Sequence, residues 1–309
     1  MTGFQGVNVA AITPRGKQGE IDLGAAFELI DHLCAARVDG IVLFSGYGEY
    51  PAFTVEERSR LVYLAVKRSR VPLLVGVGSA TMDLSVALAR EAREAGAAGL
   101  LLPPPFFFRY EPEDVFEFYR RFASQLGSGV ETFLSNTPAS TSQIPVDTAL
   151  NLLQTGLFAG VEDSSGSLES LTCLQAAAAM CSLQLLVGSD QIFTRARCAR
   201  VPVPGGATRP GAISAAACAV PELLMALDRA ITVSQTGEID RLDRALQEFL
   251  YWEVRFPPTT IVKVATGLRG LKTGPLSVPL SPGKERLLAE FREWFQSWLP
   301  DVKKMAAHA

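Results

Sequence analysis

The sequence predicts an α/β fold, a (β/α)8 TIM barrel with additional C-terminal helices. Seven or eight short apolar segments alternate with segments of helical periodicity, a pattern typical of a parallel sheet. Nearly every one of these strands ends in polar residues, which favours a closed barrel because its site draws one residue from each of several strands. An open doubly wound sheet is the alternative, but no G-x-G-x-x-G motif follows the first strand, which counts against the dinucleotide-binding kind. We expect residues 1–220 to form the barrel, and residues 221–309 to form its last helix and a C-terminal helical region of the same unit.

The predicted strands are apolar runs closed by glycine, proline or small polar residues. They cover residues 6–12, 40–44, 72–77, 99–102, 130–134, 158–161, 183–187 and 211–214. Helical periodicity or a helix-start signal follows most of them, over residues 22–34, 54–69, 83–95, 112–126, 145–154 and from 167 onward. Asp22 is a candidate cap of the first helix, and Thr54 with Glu57 forms a capping box at the start of the second.

Two parts of the chain are harder to assign. Residues 191–210 contain four arginines (Arg195, Arg197, Arg200 and Arg209), and we expect a seventh helix and a long connection there, with the arginines on a solvated face. A phosphate site near Gly205 and Gly206 is an open alternative, because barrels place such sites after strands seven and eight. The last third of the chain has helical periodicity, with expected breaks at Gly237, at Pro257-Pro258 and from Pro275 to Pro282.

Composition and charge limit the partners and the location of the protein. The 309 residues are 48% apolar and 20% charged, a mix able to bury a large core. The formal net charge is −3, so no basic surface argues for nucleic acid or an anionic membrane. The five cysteines form no C-x-x-C pair and are expected to be buried thiols in a reducing compartment. Without a charged leader or an apolar stretch of about 18 residues, the chain is expected to be a soluble cytoplasmic protein that binds a small-molecule ligand.

The most informative segment is F-A-G-V-E-D-S-S-G-S, residues 158–167. A short apolar strand ends in two adjacent carboxylates, Glu162 and Asp163, and a turn of small residues then leads into a helix. This order places the carboxylates at the carboxyl end of a strand, where parallel α/β folds keep their chemistry. Glu162 is interpreted as a general base, or as an anchor for a cationic or hydroxyl-rich ligand, with a pKa raised by burial and by Asp163. The alternative is a carboxyl group held by backbone and serine donors in a retired pocket.

Six motifs, in their order along the chain, resemble one known family. They are S-G-Y-G-E after the second strand, P-P-P-F-F-F-R-Y after the fourth, S-N-T-P after the fifth, G-V-E-D-S-S-G at the sixth, G-S-D after the seventh, and G-A-I-S before a helix. The chain is similar over almost its whole length to the dihydrodipicolinate synthase / N-acetylneuraminate lyase family. The resemblance implies a (β/α)8 barrel, often a homotetramer, that acts on pyruvate or another 2-oxo acid through a lysine Schiff base.

The resemblance also identifies where this sequence departs from the family. Glu162 stands at the position of the Schiff-base lysine, and the positions of the three relay hydroxyls are occupied by Gly46, Phe107 and Ser135. Ser140 stands where some members carry an arginine. The pocket scaffold is retained at Gly48, Glu49, Asn136, Pro138, Asp163, Gly166, Gly188, Asp190 and Ile213. We therefore expect Glu162, Ser135 and Tyr47 to carry any catalysis. The residues expected to contact a ligand are Gly46, Phe107, Asn136, Ser140, Gly188, Asp190 and Ile213.

Chemistry based on a lysine imine is not expected from this sequence. A carboxylate forms no imine with a keto group, and it repels the carboxylate of a 2-oxo acid by roughly 4 kcal/mol at about 4 Å and an effective dielectric near 20. None of the seven lysines lies at a predicted strand tip. Two hypotheses follow. One is a lyase or aldolase-type enzyme in which Glu162 is the acid or base, and the other is a catalytically silent binding protein or partner subunit of the same fold.

Several neighbouring residues have a structural interpretation beside a functional one. Tyr47 and Ser135 are expected to hydrogen-bond to a ligand, with Tyr47 alternatively filling a disused cavity. Phe106 to Phe108 are expected to pack in the core or between the subunits of a dimer or tetramer. Glu49 and Asp190 are expected to bond loop backbone. No metal or cofactor is expected, because the two histidines, His32 and His308, lie in a predicted helix and in the C-terminal tail.

Overall fold

The protein is a closed barrel of eight parallel strands. The computed structural model describes residues 4–181, 183–203 and 206–308. The described residues form ten strands, and all of them except β8 and β9 belong to the barrel. The strands are β1 (Val7–Ala10), β2 (Gly40–Leu43), β3 (Leu73–Gly76), β4 (Gly99–Leu102), β5 (Glu131–Asn136), β6 (Gly160–Asp163), β7 (Gln184–Val187), β8 (Val201–Val203), β9 (Gly206–Thr208) and β10 (Gly211–Ser214). The barrel order is β1, β10, β7, β6, β5, β4, β3, β2, and β2 pairs back to β1. The predicted (β/α)8 barrel is confirmed, and the open doubly wound sheet is excluded.

The helices surround the barrel and continue past its last strand. They are α1 (Leu23–Ala35), α2 (Val55–Arg68), α3 (Met82–Ala95), α4 (Pro112–Leu126), α5 (Val146–Gln154), α6 (Leu168–Cys181), α7 (Phe193–Cys198), α8 (Ala216–Ala219), α9 (Pro221–Thr232), α10 (Thr236–Glu253), α11 (Thr260–Leu268) and α12 (Pro282–Ala307). Short 3-10 turns follow two of the strands, at Gly46–Gly48, Tyr50–Ala52 and Asp190–Ile192. None of the helices in the described ranges combines the length and the apolar composition that crossing a bilayer requires.

Local sequence signals begin the first two helices as predicted. Asp22 caps α1 by accepting a hydrogen bond from the Ala25 amide at 3.0 Å. At the start of α2, the Thr54 hydroxyl accepts from the Glu57 amide and the Glu57 carboxylate accepts from the Thr54 amide. These contacts satisfy amides that have no partner within the first turn of a helix.

The strand register determines which tip residues meet. β5 and β6 pair Ser135 with Glu162 and Asn136 with Asp163. Successive side chains of a strand point to opposite faces, so these two pairs lie on opposite faces of the sheet. One pair is therefore available to the barrel interior, and the other is available to the surrounding loops.

The arginine-rich segment differs from its prediction. The Arg197 side chain is buried, donates to the Asp228 carboxylate at 2.6 Å and also donates to the Pro210 carbonyl. Arg209 donates to the carbonyls of Arg197 and Ile231. The prediction of a solvated arginine face is wrong for these two residues, because each guanidinium donates hydrogen bonds to carbonyl or carboxylate oxygens of the protein. Arg195 and Arg200 are exposed, as predicted.

The predicted long connection in this segment contains the antiparallel hairpin of β8 and β9. The strands have three residues each, too short for a recognisable alternation. Gly205, half of the suggested phosphate site, lies outside the described residues.

Two smaller expectations also need correction. Gly237 does not break the last helices, since it lies in the first turn of α10, where a glycine amide needs no intrahelical partner. The chain turns instead at Ser234, which has a φ of 60°. Among the described thiols Cys218 is buried, but Cys173 and Cys198 are exposed, so the prediction of buried cysteines is wrong for both.

The C-terminal helices help to enclose the functional end of the barrel. α10 packs against α12 through Phe249, which lies 6.1 Å from the Trp298 ring and 6.2 Å from the Phe295 ring, measured between centroids. α10 also contacts the turn Asp190–Ile192 after β7. The last turn of α10 is thereby fixed beside the carboxyl ends of the barrel strands.

Candidate functional site

A cavity of about 480 Å³ opens at the carboxyl ends of the barrel strands. It lies where barrel enzymes hold their ligands. Its walls bring together most of the residues expected from the sequence: Gly46, Tyr47, Ser135, Ser140, Glu162, Gly188, Asp190 and Ile213. Residues of α10 and of the segment after it complete the wall, which the sequence did not indicate.

Glu162 is a buried acid of this cavity, with 3% of its surface exposed. The Ser135 hydroxyl donates to its Oε2 at 2.6 Å, and the Ser164 hydroxyl donates to its Oε1. Burial raises the pKa of the Glu162 carboxyl to about 7, against the bonds from the two serines, and the charge of Asp163 adds a smaller upward shift. A carboxyl group with a pKa near neutrality is suited to both donating and accepting a proton.

A glycine on the next strand makes this position possible. A Cβ at Gly188 would lie 2.1 Å from Glu162 Oε1 and 2.1 Å from the Ser164 hydroxyl oxygen. Any larger residue at 188 would displace the carboxyl group or its serine partner. Gly188 therefore acts by giving room to Glu162, although it was expected to contact a ligand itself.

A second acid of the cavity, Glu253, was missed by the sequence analysis. It ends α10 and accepts a hydrogen bond from the Tyr47 hydroxyl. Burial raises the pKa of Glu253 to about 7, and the charge of Asp190 adds to this shift, against the bond from Tyr47. A glutamate in the last turn of a helix opposes the helix macrodipole, and that unfavourable placement was the one signal available in the sequence.

Tyr47 remains a hydrogen-bond donor at neutral pH. Burial and the neighbouring charge of Glu253 raise the pKa of its phenol group far above its ordinary value. Its hydroxyl is already engaged by Glu253, while its side chain still lines the cavity. Tyr47 thus joins the strand-two turn to the end of α10.

Asp190 completes a set of three acids. Its Oδ2 accepts from the amides of Ala215 at 2.9 Å and Ala216 at 2.8 Å, so it bonds loop backbone as expected. The Ser214 hydroxyl is a further hydrogen-bond partner of this carboxyl group. Burial raises the pKa of this carboxyl group, against the hydrogen bonds from the Ala216 amide, the Ser214 hydroxyl and the Ala215 amide.

Two of the expected ligand-binding residues do not line the cavity. Asn136 is buried behind it, where its amide donates to Asp163 Oδ1 at 2.7 Å and its oxygen accepts from the Ile144 amide. Phe107 is 86% exposed, with a φ of 84°. Packing of Phe107 and Phe108 in the core of this chain is a wrong prediction, since Phe108 is also exposed. Phe106 alone packs inward, edge-on against Tyr50.

Among the described residues one lysine is buried, and it lies outside the cavity lining. Lys263 of α11 donates to Glu49 Oε2 at 2.7 Å, and burial lowers its pKa against the attraction of Glu49. Glu49 also accepts from the Ser277 hydroxyl. The expectation that Glu49 bonds loop backbone is therefore wrong, because its carboxylate instead neutralises a buried ammonium group.

The charged groups of the cavity are all acidic. Within the part of the chain that the structure describes, no lysine, arginine or histidine lines it. The same residues contain no cluster of three histidine, cysteine, aspartate or glutamate side chains placed to hold a metal ion. The arrangement can therefore exchange protons with a bound molecule and accept hydrogen bonds from it, and it offers no countercharge to an anion.

Comparison with known proteins shows the family to which this barrel belongs. The model of the dihydrodipicolinate synthetase family matches residues 3–297. The chain belongs to the dihydrodipicolinate synthetase family. An uncharacterized DapA-like lyase of Halobacterium salinarum is 31% identical over 287 residues, covering 90% of this chain and 88% of that protein. The protein is thus a member of a family of lyases and aldolases.

Two solved structures share the architecture of this chain. The 4-hydroxy-tetrahydrodipicolinate synthase of Methylacidiphilum fumariolicum is 26% identical, with a TM-score of 0.83 over 97% of this chain and 99% of that chain. The sialic acid aldolase of Ruminococcus gnavus is 20% identical, with a TM-score of 0.85 over 97% and 98%. The second similarity concerns the fold alone.

Proposed function

We propose that this family member works without a lysine imine, and that Glu162 acts as the acid or base on a small polar ligand. One observation carries the proposal. Glu162 stands where the resemblance puts the family's lysine, and it is a buried acid with a pKa of about 7 that faces the cavity. Glu162 thus presents a carboxyl group to the cavity at the carboxyl ends of the strands.

The arrangement around Glu162 favours proton transfer over imine formation. A Schiff base needs a neutral amine in the cavity, and Lys263 is held away from the described lining by Glu49. The Ser135 hydroxyl is bonded to Glu162, and a Cβ at Gly46 would meet only open space. Two of the proposed relay positions therefore offer no free hydroxyl, which supports a different use of the site.

A catalytically silent binding protein is the second candidate. Both oxygens of Glu162 already accept hydroxyl bonds from serines, and the Tyr47 hydroxyl is bonded to Glu253. A site whose polar groups satisfy one another is suited to recognising a ligand without turning it over. Such a protein serves as a sensor or as a subunit beside an active relative.

A ligand screen with a matched variant tests the role of Glu162. We expect some member of a panel of sugar acids, amino acids and 2-oxo acids to raise the melting temperature of the wild-type protein, and the rise to disappear in Glu162→Gln. Asp240→Asn removes an exposed acid from α10 and should leave the rise intact. A panel without any effect, or an unchanged rise in Glu162→Gln, contradicts a working site at this residue.

Isotope exchange distinguishes the two candidates. A ligand from that screen, incubated with the protein in deuterated water, should lose a carbon-bound proton signal by NMR if Glu162 abstracts protons. Glu162→Gln should abolish the exchange. Binding without exchange in the wild-type protein supports the silent candidate.

We further propose that the protein is a homo-oligomer, a dimer or a tetramer. Phe107 and Phe108 extend from the loop between β4 and α4 and are 86% and 66% exposed. Two adjacent aromatic rings in solvent are typical of a subunit contact. The cytoplasmic location expected from the sequence remains a prediction.

A further inference from the structure

One tyrosine hydroxyl of the cavity is not used by the protein itself. Tyr50 follows β2 and lines the cavity, and only 8% of its surface is exposed. Its hydroxyl forms no hydrogen bond within the part of the chain that the structure describes, and its oxygen is not among the atoms that the protein encloses completely. The other tyrosine of the lining, Tyr47, is already bonded to Glu253. Since a buried hydroxyl without a partner is unfavourable, the Tyr50 hydroxyl is available to a bound molecule.

Packing on several sides fixes the orientation of the Tyr50 ring. The ring lies edge-on to Phe106, with centroids 5.6 Å apart, and the Arg58 guanidinium lies 5.3 Å from its centroid. Arg58 is itself held in place, because it donates to the carbonyls of Gly76 at 2.9 Å and Gly78 at 2.8 Å. A Cβ at Gly78 would lie 3.2 Å from Tyr50 Cε2, so that side of the ring is also closely packed. The hydroxyl therefore has a fixed place before any ligand binds, which is the preorganisation that catalysis requires.

Tyr50 and Glu162 line the cavity from different strand ends. Tyr50 packs on Phe106, which follows β4, whereas Glu162 belongs to β6. Only β5 separates β4 from β6, so these two strands are roughly 10 Å apart. Burial raises the pKa of Tyr119, and the charges of Glu162 and Tyr50 add to this shift, so both groups lie near the end of β4 where the Tyr119 hydroxyl is bonded. The two groups are thus placed to contact one small molecule.

We propose that the cavity binds a small neutral carbonyl compound, whose oxygen accepts a hydrogen bond from Tyr50 and whose adjacent carbon loses a proton to Glu162. The inference rests on the proposed function, since it uses Glu162 as the base. The C–H bond breaks, its proton moves to a Glu162 carboxylate oxygen, and its electron pair forms a carbon–carbon double bond. The electron pair of the carbonyl double bond moves to the oxygen, where the Tyr50 hydroxyl stabilises the negative charge. Return of a proton from Glu162 to the carbon restores the starting compound.

The properties of the cavity agree with this class of ligand. Burial raises the pKa of Tyr50 to about 12, against the attraction of Arg58, so its phenol group stays a hydrogen-bond donor at neutral pH. A donor directed at the oxygen on which charge develops stabilises the transition state of such a step. We expect a neutral compound because no lysine, arginine or histidine among the described residues lines the cavity to bind an anion. The volume of about 480 Å³ is sufficient for a small ligand.

Isotope exchange with charge-matched ketones tests the proposal. Hydroxyacetone and pyruvate both carry methyl protons beside a carbonyl, but the first ends in a neutral hydroxymethyl group and the second in a carboxylate. In deuterated phosphate buffer at about pH 8, where Glu162 is mostly ionised, the wild-type protein should exchange protons of hydroxyacetone or dihydroxyacetone faster than buffer alone, as measured by NMR. Pyruvate should exchange at least about tenfold more slowly, because its carboxylate is repelled by Glu162. No exchange of either neutral compound, or a smaller difference from pyruvate, overturns the proposed ligand class.

A matched pair of variants tests the role of Tyr50. Tyr50→Phe keeps the ring and removes the hydroxyl, so the exchange rate of the neutral ketone should fall by at least about tenfold. Tyr63→Phe removes the hydroxyl of an exposed tyrosine on α2 and should leave the rate unchanged. The melting temperature of Tyr50→Phe should not fall below that of the wild type, because no protein group loses a hydrogen bond. A smaller loss of exchange, or a lower melting temperature, overturns the role of Tyr50, and the wild-type comparison of ketones needs no variant.

Failure of this inference can be told from failure of the proposed function. Exchange that persists in Glu162→Gln, or borohydride trapping of pyruvate on a lysine of the wild-type protein, would remove the proposed function. Exchange that is lost in Glu162→Gln but kept in Tyr50→Phe would remove only the role of Tyr50.

Discussion

At the scale of single residues, the sequence predicted that Glu162 lies in the site, but it did not predict this for Glu253. The segment around Glu162 has a strand-turn-helix order that fixes its place at a strand end. Glu253 reaches the same cavity from a helix more than 90 positions later, through packing between α10 and the turn after β7. Contacts between distant segments leave no periodic pattern, so this part of the site required the structure.

The raised pKa of Glu162 predicts how stability depends on pH. Its folded-state pKa of about 7 lies above its ordinary value of 4.5, so the folded protein holds an extra proton between these values. The contribution of Glu162 to the free energy of unfolding is fully present below about pH 4.5 and is lost as pH rises through about 7. The full shift corresponds to about 3 kcal/mol, and Glu253 acts in the same direction.

Urea unfolding at a series of pH values measures this effect. Glu162→Gln cannot ionise, so its free energy of unfolding should fall less than that of the wild type between about pH 5 and about pH 8, by up to about 3 kcal/mol. Asp240→Asn should follow the wild-type profile. Parallel profiles for the wild type and Glu162→Gln would show that the acid is not held in the uncharged form.

At the scale of elements, local signals predicted the helix starts but not the hairpin or the buried arginines. Asp22 and the Thr54–Glu57 box act within one turn of chain, so their effect can be deduced from spacing. Arg197 is buried because Asp228 and the Pro210 carbonyl approach it from elsewhere in the fold. A charged residue usually lies in solvent, and only the tertiary partners reverse that expectation.

The pair of Arg197 and Asp228 should be important for stability. Replacing Arg197 with Met leaves a buried carboxylate and a carbonyl without their donor, and we expect a loss of about 3 kcal/mol in the free energy of unfolding. Arg195→Met changes an exposed arginine of the same helix and should stay within about 0.5 kcal/mol of the wild type. Similar unfolding midpoints in urea for both variants would contradict the assignment.

At the scale of the whole molecule, the alternation of apolar strands and helices was enough to predict a closed barrel. The order of the tip motifs was enough to identify the family. Assembly is a separate question, because exposed aromatic residues such as Phe107 and Phe108 are explained only by what covers them. The sequence pattern placed these residues in a loop and did not give their exposure.

Light scattering after size-exclusion chromatography measures the proposed assembly. The wild-type protein should have the mass of a dimer or tetramer, and Phe107→Asp with Phe108→Asp should shift it toward the monomer, because two carboxylates cannot be buried in an apolar contact. Tyr63→Asp, at an aromatic residue that is 50% exposed on α2, should keep the wild-type mass. A monomeric wild type, or a double variant with unchanged mass, contradicts the proposal.

The central claim is that an acid, Glu162, stands where the family has a lysine, so that this chain forms no imine. Intact-mass spectrometry after treatment with pyruvate and borohydride tests this claim most directly. The wild-type protein should keep its original mass, while Glu162→Lys, which restores an amine at this position, should gain a reduced pyruvate adduct that peptide mapping assigns to residue 162. A stable adduct on any lysine of the wild-type chain would contradict the account.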